Sequence, residues 1–168
     1  MLDPAQGRAA EMHRLRQALA EPPAPADSLR RFRLLLRLGV YLSYSPTPDS
    51  AGPYLCQARQ AARPYEQHYP LEAATVLERL AAQQWRRQRP DSARYFHQQA
   101  IELLTRAFPD SLAAGQQHIL LGKPVLPARV LAEHYANAGL ASQALGQPAA
   151  ALHSFDQARR IYQQIPSD

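Results

Sequence analysis

One short segment occurs three times in this chain, and its register limits the fold more than any other feature. TPDSA at 47–51 returns as RPDSA at 89–93 and, more loosely, as QPAAA at 147–151. Superposing Pro48, Pro90 and Pro148 also superposes Ala51, Ala93 and Ala151, then Ala58, Ala100 and Ala158 seven residues on. Upstream, the same alignment brings Leu38-Gly39, Leu80-Ala81 and Ala138-Gly139 together. Each unit reads as an apolar helix with a small residue part-way along, a turn closed by proline, and a second helix with alanines on one face. Antiparallel helices approach closely only where side chains are small, so Gly39, Ala81 and Gly139 are expected to face the alanines of the second helix. Leu38, Leu42, Leu55, Leu80, Tyr135 and Phe155 are expected in the core. A hairpin of this size cannot bury both faces alone, so neighbouring hairpins must stack.

The rest of the sequence agrees with a helical reading. Ala, Leu, Gln and Arg dominate, and alternating strand patterns are nearly absent. Helices are expected at 8–20, 28–43, 50–66, 70–88, 91–107, 110–121, 127–145 and 148–164. Asp49-Ser50 and Asp91-Ser92 follow prolines and are expected to supply acceptors at helix starts. Residues 1–27 read as a short N-terminal helix with a proline-rich tether, and 28–168 as the repeat domain. The anchors lie 42 and then 58 residues apart, which places an irregular insertion around 108–131. An unrelated helical bundle is the competing architecture.

Composition narrows the function classes. Fifteen prolines against seven glycines disfavour glycine-loop cofactor folds. One cysteine, Cys56, excludes an internal disulfide and a cysteine-based zinc site; it is expected to be buried beside Leu55. No signal-peptide pattern opens the chain, and its most apolar stretch, LLLRLGVYL, is about half a membrane span. A cytoplasmic protein without membrane association is therefore expected. The six histidines form no HExxH or short-range ligand pair, and no phosphate loop, GxSxG elbow or paired-carboxylate motif occurs. No catalytic residue, metal or cofactor is assigned, and the chain is not expected to be an enzyme.

The repeat resembles the tetratricopeptide repeat family, in its extended 42-residue variety found in kinesin light chains and bacterial regulators. The last unit carries the resemblance best, through Ala138-Gly139, Gly146, Ala151, Phe155 and Ala158, with Tyr135 at a position of large residues and Pro166 just beyond. The first unit matches through Leu38-Gly39, Leu42, Ala51, Leu55 and Ala58. The second matches through Leu80-Ala81, Ala93 and Ala100, but Gln84 and His97 stand at apolar positions. The resemblance implies an all-α fold, with antiparallel hairpins stacked as a short right-handed solenoid. It also implies a protein- or peptide-binding adaptor, chaperone or regulatory scaffold that acts through a concave helical groove.

Carried over from that family, the ligand-facing positions include Arg33, Leu36, Val40 and Tyr44 in the first unit. The second unit contributes Glu78, Trp85 and Arg86, and the third Glu133, Leu140 and Gln143. Arg37 and Arg89 join them as members of two arginine clusters, Arg30, Arg31, Arg33 and Arg37, and Arg86, Arg87, Arg89 and Arg94. Guanidinium groups pair with carboxylates or phosphates, and a net charge of +5 permits an acidic partner. An acidic peptide is favoured over nucleic acid, since no helix-turn-helix signature or dense basic tail accompanies the clusters. A nucleic-acid-associated regulator and a structural subunit of an oligomer or larger complex remain the alternatives. In the latter, Leu152, Phe155 and Ile161 of the terminal hairpin would meet a second copy or a larger protein.

Overall fold

Proline sets where the helices begin. The computed structural model describes residues 4–21, 27–109 and 116–165. Its α-helices are α1 (Pro4–Ala20), α2 (Ser28–Ser43), α3 (Gly52–Ala62), α4 (Pro70–Arg86), α5 (Pro90–Ala107), α6 (Pro127–Ala144) and α7 (Pro148–Gln164). Proline occupies the first turn of α3, α4, α5, α6 and α7, where its missing N–H would have had no intrahelical partner. The N-cap positions of the helices starting at 48, 52 and 90 are Thr47, Ala51 and Arg89, which make no side-chain capping hydrogen bond. Asp49 and Asp91 lie in the first turn instead, where a negative charge complements the helix dipole.

Among the described residues the fold is all-α apart from one short hairpin, and the chain divides into two compact units, 1–65 and 66–168. In the first unit α2 packs against α1 on one side and α3 on the other. Glu11 of α1 pairs with Arg37 at 3.0 Å, and Arg31 donates to the Leu19 carbonyl at the end of α1. The hydroxyls of Ser28 and Tyr65 hydrogen-bond, tying the start of α2 to the turn that follows α3. In the second unit α4 packs on α5, α5 on α6, and α6 on α7, with a smaller contact between α4 and α6. A hydrogen bond from Arg94 to Gln147 links α5 to the turn before α7.

The small residues do admit a close neighbour, but the neighbour differs from expectation. A Cβ placed on Gly39 would lie 2.5 Å from Leu55 Cδ2, and one on Gly139 would lie 2.6 Å from Phe155 Cε1. The glycine of the first helix therefore receives the large residue of the second, while the alanines one turn either side keep the backbones close. Ala51, Ala58, Ala151 and Ala158 are all buried. Leu38, Leu42, Leu55 and Leu80 are core residues as expected, whereas Tyr135 and Phe155 are half-buried. Cys56, by contrast, is exposed, because one residue after Leu55 the helix turns it about 100 degrees away from the packed face.

Two helix–turn joints repeat in detail. Gln88 and Gly146 both take positive φ, 56° and 68°. The next amide reaches back across the last turn, Arg89 N–H to Gln84 O and Gln147 N–H to Ser142 O, both at 3.0 Å, which is a Schellman closure. In the first unit the corresponding residue is Pro46, whose ring forbids positive φ. That helix ends with shorter bonds, Tyr44 N–H to Tyr41 O and Ser45 N–H to Leu42 O.

The expected helix at 110–121 is corrected by the structure. Residues 110–115 lie outside the described residues, as do 22–26 of the expected tether and Pro166. Residues 118–120 form β1 (His118–Leu120), paired antiparallel with β2 (Lys123–Val125) in the register His118 to Val125 and Leu120 to Lys123. Leu121 and Gly122 both have positive φ, 51° and 81°, as a two-residue type I′ loop requires. Branched Ile119 and Val125 suit strands, and Pro124 is tolerated because a two-stranded ribbon is all edge. A ring contact between Phe108 and His118, centroids 5.2 Å apart, fastens β1 to the end of α5.

Three stability changes follow from this structure. Gly39→Ala should lower unfolding free energy by roughly 1–2 kcal/mol, since overpacking against fully buried Leu55 outweighs the gain in helix propensity. Gly139→Ala should cost less, because the half-exposed Phe155 ring has room to give. Gln88→Gly should stabilise by up to about 1 kcal/mol through relief of the left-handed backbone. Urea denaturation of the three variants checks the order.

Candidate functional site

The face of the second unit is built by residues at helical spacing on α4 and α6. On α4, Glu78, Ala82, Trp85 and Arg86 share one side; on α6, Asn137 and Leu140 do. Together with His97 of α5 they line a cleft of about 300 Å³. Trp85 and Leu140 are each 47% exposed, a large apolar surface left open by the packing. Tryptophan in such a position fits an interface anchor, because it offers much contact area at little conformational cost.

His97 forms the most heavily buried part of the cleft wall, at 7% exposure. By the repeat register it occupies the position of Leu55 and Phe155, where the other hairpins place a large apolar side chain. A polar ring there needs a partner. His134 of α6, only 2% exposed, supplies it, with Nδ1 to Nδ1 at 3.0 Å. The ring centroids are 5.3 Å apart, close to the nitrogen distance plus two ring radii, so the nitrogens point straight at each other. That is the geometry of a hydrogen bond in which one imidazole donates and the other accepts. It leaves Nε2 of His97 outside the shared hydrogen bond, on a ring that lines the cleft.

Burial pushes His97 down to about 4. Burial, reinforced by the neighbouring His97, pushes His134 down to about 3. Both are therefore neutral at pH 7, as the shared hydrogen bond requires. Glu133, one turn before Asn137, is raised first by partial desolvation and then by the charge of Glu78, with Arg129 acting in the opposite sense. Among the described residues, no group of three or more His, Cys, Asp or Glu could hold a metal ion.

Of the sequence-derived site residues, Glu78, Trp85, Arg86 and Leu140 come together in the cleft, with Glu133 within electrostatic reach. Gln143 is exposed farther along α6, and Arg89 is exposed in the turn before α5. In the first unit, Arg33, Arg37 and Tyr44 are exposed and Val40 is half-buried, but Leu36 has no exposed surface and belongs to the core. The first arginine cluster is largely engaged within its own unit. Arg30 pairs with Asp27 at 3.7 Å, Arg31 with the Leu19 carbonyl, and Arg37 with Glu11. Of the three residues expected at a terminal interface, Leu152 is the exposed one, at 64%. Ile161 is buried, and Phe155 is half-buried against Gly139.

His97, His134 and Asn137 escape sequence reasoning because spacing along one chain does not reveal which helices face each other. One signal was available. A histidine in an apolar repeat position implies a buried polar partner, and His134 follows Leu131-Ala132 on the core side of its own helix.

The histidine pair makes stability depend on pH with a definite sign. Each folded pKa lies below the unfolded value of 6.5, so the stabilisation is fully present above pH 6.5. It is lost as pH falls from there through about 4. Denaturation midpoints should drop steeply between pH 7 and 4.5 in the wild type and flatten in His97→Leu/His134→Leu, if that variant folds; a single His97→Gln should retain only part of the slope.

No helix among the described residues is long and apolar enough to cross a membrane. No family model, curated protein or solved structure matches this chain, so a reading of the cleft rests on its geometry.

Proposed function

We propose that the protein is a peptide- or protein-binding adaptor, without chemistry of its own, that takes its ligand in the cleft between α4 and α6. On this reading the helical hairpins are tetratricopeptide-like repeats. α4–α5 and α6–α7 then form a short right-handed solenoid with the first helix of each pair on its ligand side. The observation that carries the proposal is the exposure of Trp85 and Leu140 on adjoining helices, walling one cleft with charged and amide groups around it. An apolar anchor ringed by polar groups is the composition of a recognition surface.

Two other readings have less support. A nucleic-acid role through the arginines is weakened by the pairing of Arg30, Arg31 and Arg37 inside the first unit. Docking through the terminal hairpin rests on Leu152 alone, since Phe155 and Ile161 serve the α6–α7 packing.

Selection of a random peptide library on the full chain tests the proposal. Enriched peptides should compete with one another and lose roughly tenfold or more in affinity on Trp85→Ala or Leu140→Glu. They should be indifferent to Leu152→Glu. Peptides sensitive to Leu152→Glu and blind to Trp85→Ala would move the working surface to the terminal hairpin.

A further inference from the structure

The two walls of the cleft carry the same pattern. On α4, Glu78 is followed at four and seven residues by Ala82 and Trp85; on α6, Glu133 is followed at the same intervals by Asn137 and Leu140. Seven residues are about two turns, or roughly 10 Å along a helix. Trp85 and Leu140 line one cleft, and Glu78 acts on the carboxyl of Glu133. The two stripes therefore run in the same direction, with both carboxylates at one end and both large apolar groups at the other. Between them stand a methyl group, an amide and the edge of His97.

At the carboxylate end Glu133 is held above its ordinary range, first by partial burial and then by the charge of Glu78. Arg79 lies 3.5 Å from Glu78, and Arg129 precedes Glu133 by about one turn, yet Glu78 raises Glu133 more than Arg129 lowers it. The same negative charge holds the Tyr162 phenol of α7 above its ordinary value, after partial burial. A third carboxylate brought here would add to the repulsion, whereas an incoming cation would relieve it. At the other end, Arg86 beside Trp85 disfavours a second cation and leaves the indole and Leu140 for an apolar group.

We propose that this cleft takes an extended peptide with a lysine or arginine between Glu78 and Glu133 and a large apolar side chain three residues away against Trp85 and Leu140. The inference rests on the groove reading above and adds the chemistry of its ligand. Three residues of an extended, polyproline-like segment span about 9 Å and return to the same face, which matches the separation of the two ends. Asn137 and His97 lie where they meet the intervening peptide backbone. The ligand is thus basic at one end, in place of the acidic segment that the arginine clusters suggest.

Trp85 is the sole tryptophan, so its emission reports occupancy directly. Pools of short, end-capped peptides with Lys and Leu three positions apart, in both orders and degenerate elsewhere, are titrated into the full chain beside pools with Glu in place of Lys. The Lys pools should shift the Trp85 emission to the blue and bind roughly tenfold more tightly than the Glu pools. Glu133→Gln should shrink that preference, and Glu78→Lys/Glu133→Lys should reverse it, with the fold checked by circular dichroism. Equal binding of Lys and Glu pools, or a preference indifferent to the charge reversal, overturns the cationic ligand while leaving the groove intact. If no pool perturbs Trp85, the groove reading falls with it.

Discussion

A missing side chain on one helix and a large one on the next hold the two glycine-bearing hairpins together. Leu55 sits where a Cβ on Gly39 would be, and Phe155 where one on Gly139 would be. The contact brings the second helix close enough for Ala51, Ala58, Ala151 and Ala158 to lose nearly all solvent exposure. Much of the apolar burial then comes from small residues, and the register of each pair is pinned because sliding by one turn would set a large side chain against another. In the second unit that register decides which face of α6 turns toward α4 and α5, and hence where Leu140, Asn137 and Glu133 stand.

The middle hairpin departs from this rule, and the departure lies at the cleft. Ala81 replaces glycine, and His97 replaces the large apolar partner. A neutral imidazole is similar in bulk to a leucine but has two nitrogens to satisfy. One is met by His134 across the α5–α6 contact, a directional bond between consecutive hairpins of the second unit. The same ring lines the cleft. A residue that would otherwise complete a core thus contributes polarity to the cleft wall.

Much of the helical pattern was legible because proline and small residues act locally. Pro70, Pro90, Pro127 and Pro148 begin helices where the sequence placed them, and the expected ends of α2 and α7 agree with the structure. The cleft was legible in part through the resemblance, since Glu78, Trp85, Arg86 and Leu140, four of the positions carried over from it, line one cleft. The 118–125 hairpin was not, because HILLGKPV has enough leucine to extend a helical pattern, and the Leu-Gly type I′ loop shows only as a turn conformation. Phe155 was expected both in the core and at a terminal interface, because its exposure depends on Gly139, a residue on another helix. The partners of the first arginine cluster were less legible for a related reason: Glu11 and the end of α1 approach Arg37 and Arg31 only once the chain is folded.

The glycine-to-large contact can be observed without perturbing it. In the NMR spectrum of the intact chain, the Gly139 Hα protons should show strong nuclear Overhauser effects to the Phe155 ring and ring-current shifts away from ordinary helical glycine values. Gly39 Hα should show the same effects to the Leu55 methyls. Gly139 Hα protons at ordinary shifts, with no effect to Phe155, would mean that α6 and α7 meet in another register and that the cleft described here does not exist.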